Sequence, residues 1–98
     1  MRKARKLIIH LGDGESGGSM MRAIAQDAFD EDPLLDVVEV WELGGWWLEW
    51  NRDFLTVGTA NDRAILSPAA YRWAAQFDGV EEVGTVYRGQ EADWLAVA

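Results

Sequence analysis

Apolar and polar residues alternate along much of this chain, and in two stretches they recur instead at helical spacing. Lys6 to Leu11 places Leu7, Ile9 and Leu11 on one side and Ile8 and His10 on the other, the two-sided pattern of a strand inside a sheet. From Ser19 the period lengthens: Met21, Ile24, Ala25 and Ala28 form one stripe, flanked by Met20 and Phe29, with Arg22, Gln26 and Asp30 opposite. The spacing predicts an amphipathic helix ending near Phe29 or Asp30. There Asp30-Glu31-Asp32 opposes the negative end of the helix dipole, and Pro33 disfavours helical geometry at Asp32.

Leu35 to Trp50, LDVVEVWELGGWWLEW, holds four of the six tryptophans and reads as a β-hairpin. Gly44-Gly45 supplies the turn, because a two-residue turn needs positive φ and glycine adopts it without strain. That register pairs Leu43 with Trp46, Trp41 with Leu48 and Glu39 with Trp50. One face then carries Leu35, Val37, Trp41, Leu43, Trp46, Leu48 and Trp50, with Glu39 as its only charge. The other carries Val38, Val40 and Trp47 among Asp36, Glu42 and Glu49.

Asn51-Arg52-Asp53 follows as a turn or bulge, and Phe54 to Val57 as a further strand closed by Gly58. Trp47, Trp50 and Phe54 also have helical spacing, so the sequence leaves a short helix over Trp46 to Phe54 open. After a loop at Thr59 to Arg63, Ser67-Pro68 opens a second helix, with Ser67 as N-cap and Pro68 where its missing N–H costs nothing. Ala70, Trp73, Ala74 and Phe77 form its predicted buried stripe, and Gly79 is placed to stop it. Val83 to Arg88 and Ala92 to Val97 read as a second hairpin joined through Gly89-Gln90. The element order predicts an α+β two-layer sandwich. Its sheet is mainly antiparallel with both helices on one face, in a ferredoxin-like βαββαβ arrangement or a variant of it.

At 98 residues and 49% hydrophobic content, the chain has the size of one domain spanning 1–98. It has no Cys, which removes disulfides and thiolate metal sites. The basic start MRKARK is followed by too short an apolar run for a signal peptide, and no stretch could span a bilayer, so a cytoplasmic protein without membrane contact is expected.

Charge changes the picture more. The net charge is −8, yet four of the nine basic residues lie in the first six positions, leaving five Arg against 17 acidic residues over positions 7–98, a balance of −12. Such a body repels nucleic acid and is steered toward basic partners, while the basic start reads as a solubilising flank.

The Gly-rich loop after the first strand satisfies two short patterns. Gly12-x-Gly14-x-x-Gly17 fits the dinucleotide fingerprint between strand and helix, but Asp13 and Glu15 would set carboxylates beside a pyrophosphate. Gly14-x-Ser16-x-Gly18 fits a nucleophile elbow, yet the only His, His10, lies upstream of Ser16, whereas that fold needs its base downstream. The simpler reading is structural: glycines allow a tight exit from the strand, and Ser16 or Ser19 caps the helix. His10, Asp13 and Glu15 have the donor types for a divalent metal, but a lone strand His beside a solvated turn is the plainer reading, and neither metal nor cofactor is expected.

The run LIIHLGDGESGGSMMRAI also resembles the strand, loop and helix start by which sulfotransferases hold the 5′-phosphate of their sulfonate donor. In that family the loop carries a Lys and several hydroxyls. Here Glu15 stands at the Lys position and Gly18 at one hydroxyl position, so the resemblance implies no activity.

The sequence therefore points to a small, non-enzymatic, acidic binding protein. Trp47, with Glu42, Glu49, Asp36, Glu81 and Glu82, would dock a basic, nucleic-acid-binding surface of a protein partner, with carboxylates standing in for phosphates. The protein itself is not expected to contact nucleic acid. Phage anti-defence proteins, nucleic-acid mimics, immunity proteins and antitoxins share this size and charge. Two further classes stay open: a nucleotide- or phosphate-binding domain using residues 12–19, and a structural homo-oligomer, a homodimer included, held by the Trp hairpin.

Overall fold

The structure is a computed structural model that describes residues 1–12, 18–43, 46–52, 55–59 and 67–88, with only the backbone described at 46 and 55–59. The elements are β1 (Ala4–Leu11), α1 (Gly18–Glu31), β2 (Val37–Glu42), β3 (Trp46–Trp50), β4 (Leu55–Thr59), α2 (Pro68–Ala74) and β5 (Val80–Tyr87). The strands form one sheet in the order β4-β3-β2-β1-β5. β1 runs parallel to both β2 and β5, whereas β3 is antiparallel to β2 and to β4. Four strands thus share one direction and β3 alone opposes them.

This is an α+β chain with a mixed sheet, and it departs from the ferredoxin-like expectation in order and direction. The physical reason lies in β5. It lies beside β1 and parallel to it, which no tight turn can arrange, so the connection from the β4 edge must cross the sheet and carries α2 with it. The expected second hairpin falls partly at 89–98, outside the described residues.

β1 occupies the interior position that its two-sided apolar pattern predicts. Leu7, Ile9 and Leu11 pair in register with Val38, Val40 and Glu42 and face α1. Beneath that helix, Ile9, Val38, Val40 and Leu48 are at most 1% exposed. They pack with Met21, Ala25, Ala28 and Phe29, close to the predicted stripe of the first helix. α1 ends at Glu31, beyond which the Asp32 carboxylate accepts from the Leu34 N–H at 3.0 Å, so Asp32-Pro33-Leu34 turns the chain into β2. Ser19 lies within the first turn of α1 instead of capping it, and Ser16 lies outside the described residues.

The hairpin is present and the short-helix alternative is not, since Trp46–Trp50 is a strand. Its register differs from expectation by one residue. Trp41 pairs with Trp47, Val40 with Leu48, Glu39 with Glu49 and Val38 with Trp50. A one-residue slip turns every side chain of one strand to the other face. The expected register would have put the Glu39 carboxylate opposite Trp50 in the apolar layer, an expensive burial without a partner. The observed one buries Val38 and Val40 there and sends Glu39 to the face that carries Lys6.

Ser67 caps α2 as expected, its Oγ accepting from the Ala70 N–H at 3.2 Å. The helix is shorter than its apolar spacing predicts. Ala70 is buried, Trp73 and Phe77 are half-buried, and Ala74 is exposed. Gly79, at φ 155°, ends the following turn and leads into β5. Trp73 and Phe77 line one cavity with Ala4, Lys6, Val37 and Glu49, all on the sheet face opposite α1. The two helices therefore lie on opposite faces, contrary to the two-layer expectation. β5 also carries a bulge: Lys6 pairs with Glu82 and Leu7 with Gly84, so the extra residue, Val83, turns toward the core.

Candidate functional site

The face opposite α1 gathers most of the described chemistry. Pairing in register sets Lys6, Ile8 and His10 of β1 beside Val37, Glu39 and Trp41 of β2, and beside Glu82, Thr85 and Tyr87 of β5. β3 continues the row with Trp47 and Glu49.

Within this face the polar groups hold one another. The Lys6 ammonium pairs with Glu39 and, at 3.4 Å, with Glu49. Burial alone would lower the Lys6 pKa, but the hydrogen bond to Glu39 and the charges of Glu49 and Glu39 outweigh it and hold the ammonium above its ordinary value. Trp41 donates its indole N–H to the other Glu39 oxygen at 2.5 Å, and its ring lies against Trp47 at a centroid distance of 5.9 Å. His10 stacks on Tyr87 at 4.8 Å with the planes 15° apart. Burial pushes the His10 pKa below its usual value, opposed by the negative charges of Glu39 and Glu82. The Thr85 hydroxyl is bonded to the Glu82 carboxylate.

The six expected docking residues are divided by this geometry. Trp47, Glu49 and Glu82 share the face just described. Glu42 does not: it pairs with Leu11 on the α1 side and is 4% exposed. Asp36 is engaged by the Arg2 guanidinium in a two-pronged pair at 2.5 and 2.6 Å and by the Arg5 N–H at 2.8 Å. Glu81 pairs with Arg5, so it takes the opposite side of β5 from Glu82. Sequence reasoning missed Trp41, Glu39, Lys6 and the His10–Tyr87 stack. One signal could have found them: a single carboxylate, Glu39, stranded on an otherwise apolar face is a mark of the wrong register.

Most of the Gly-rich loop, 13–17, lies outside the described residues, and with it Asp13, Glu15 and Ser16. Among the described residues no group of His, Cys, Asp or Glu could hold a metal ion, and no helix is long and apolar enough to cross a membrane. Comparison with protein-family models, curated proteins and solved structures finds no match to this chain.

Proposed function

We propose that this is a non-enzymatic binding protein of the cytoplasm whose acidic, tryptophan-bearing sheet face docks a basic surface of a protein partner. The observation that carries the reading is the Trp41–Trp47 pair on the same face as Glu39, Glu49 and Glu82. Among the described residues, three carboxylates share that face with one ammonium, Lys6, which pairs with two of them, on a chain of net charge −8. Paired aromatics supply short-range affinity and the carboxylates steer a cationic surface, as an inhibitor that imitates nucleic acid requires. Trp41, Trp47, Glu49 and Glu82 are the contact residues of this reading. Glu42 and Asp36 are occupied elsewhere.

The test is affinity capture from the native host with the wild-type chain and with Trp47→Ala, followed by titration of the captured protein. A basic partner is expected, bound at least tenfold more weakly between about 0.1 and 1 M salt, where the screening length falls from about 10 to 3 Å. Trp47→Ala should cost about 2 kcal/mol or more in affinity, as for an interface anchor. A partner that is not basic, or one indifferent to Trp47, would remove the proposal.

A second reading draws on a specific observation. β1, α1 and β2 form a parallel βαβ unit with the Gly-rich loop between β1 and α1, and the helices lie on opposite faces of the sheet. In open α/β sheets such a loop at the carboxyl ends of the strands is where phosphate ligands sit. Calorimetric titration with ATP, NAD and adenosine phosphosulfate decides between the readings. No heat of binding is expected, and micromolar affinity for any of them would place the phosphate-binding reading first.

A further inference from the structure

α2 does not close fully on the sheet. Between them lies a cavity of about 340 Å³, within the size range of small-molecule sites. Its walls include Val37 and Val80 from the sheet and Trp73 and Phe77 from the α2 side, while Lys6 and Glu49 supply its charged groups.

The charges at this cavity are unequal. Lys6 is only 20% exposed and already lies between two carboxylates, Glu39 and Glu49. Glu49 is 35% exposed and holds the longer of the two contacts, at 3.4 Å, so it is the group with acceptor capacity to offer. An anionic ligand would have to compete with both carboxylates for Lys6 on a strongly acidic body. A cationic one would join them. The guanidinium of Arg2 already lies 5.0 Å from the centre of the Phe77 ring, so that ring is left to the apolar body of a ligand and the ammonium belongs at Glu49.

We propose that this cavity is a binding site for a small organic cation, an aryl- or alkylamine, with its ammonium on Glu49 and its apolar body between Val37, Val80, Trp73 and Phe77. The site shares Glu49 with the protein-docking reading but neither of its tryptophans, so Val80→Phe, which alters the cavity alone, tells the failure of one from the failure of the other.

The probe is phenethylamine, titrated into ¹⁵N-labelled protein, with 3-phenylpropionate and phenethyl alcohol as the anionic and neutral counterparts. The indole N–H signal of Trp73, assigned by its loss in Trp73→Phe, should shift saturably with the amine and stay in place with the carboxylate. Glu49→Gln keeps the shape of the side chain and should weaken amine binding by about tenfold or more, the scale of a lost charged hydrogen bond. Val80→Phe, at an exposed lining position, should narrow the cavity and abolish the shift. Equal binding of amine and carboxylate, an unchanged affinity in Glu49→Gln, or a Trp73 signal that no probe moves would each overturn the proposal.

Discussion

Arg52 concentrates several local effects in one side chain. It is the one described non-glycine residue with positive φ, at 77°, a conformation that costs an L-residue roughly 1–2 kcal/mol. Its contacts explain why the strain persists. The guanidinium donates through Nε to the Leu35 carbonyl at 3.1 Å and lies 4.3 Å from the centre of the Phe29 ring, tying the end of β3 to the end of α1 and the start of β2. Arg52→Ala keeps the strain and removes these contacts together with a longer hydrogen bond from Nη2 to the Pro33 carbonyl at 3.4 Å, so it should destabilise by about 1–3 kcal/mol, the sum of two exposed or half-buried hydrogen bonds and one cation–π contact. Arg52→Gly removes the contacts but also the strain. Urea denaturation should therefore find the glycine variant the more stable of the two, and the reverse order would show that the backbone strain contributes little.

At the scale of elements, the hairpin register can be measured directly. Leu48, 1% exposed beneath α1, should lose about 2–5 kcal/mol as Leu48→Ala, the range for a large core side chain. Trp41 and Trp47 are half-buried partners on the other face, so a double-mutant cycle between Trp41→Ala and Trp47→Ala should return a coupling of about 0.5–1.5 kcal/mol. Additive effects would contradict the pairing. Much of the architecture was legible from pattern alone: the interior β1, the amphipathic α1, the Ser67 cap and the hairpin itself all follow from local periodicity and capping chemistry. The register was not, because it turns on whether the loop at Gly44-Gly45 holds an even or odd number of residues, and glycines permit both. What selects the observed register is non-local. Val38 and Val40 need the α1 side, and Glu39 needs Lys6 from a different strand. The same limit hid the site, since the row from His10 and Tyr87 through Glu39 to Trp47 exists only once β1 has been inserted between β2 and β5. The parallel placement of β5 left no local trace either, for nothing between 80 and 87 distinguishes a parallel partner from an antiparallel one.

Across the whole molecule, the basic start is more than the solubilising flank its composition suggests. It brings positive charge to the acidic body at separate points: the terminal ammonium lies 3.5 Å from Asp78, Arg2 holds Asp36, and Lys6 joins Glu39 to Glu49. Stability should accordingly depend on pH in a defined order. His10 has a folded pKa below 6.5, first because burial disfavours its charged form, so the unfolded chain binds the proton more readily. Its contribution is complete above 6.5 and declines as pH falls through that value toward the lower folded one. Asp36 is held below 3.8, chiefly by the hydrogen bonds from Arg2. Its contribution is complete above 3.8 and is lost as pH falls through its folded value. Relief of carboxylate repulsion acts in the opposite sense over the same range, so differences between variants are the informative measurement. The melting temperature of the wild type relative to His10→Gln should fall between about pH 7 and 5, the window around an unperturbed imidazole. Relative to Asp36→Asn it should hold steady there and fall only below about pH 4, where an ordinary aspartate begins to protonate. A single shared midpoint for both differences would mean that the two groups report one acid transition, and that neither the burial of His10 nor the Arg2 contact sets its own part of the profile.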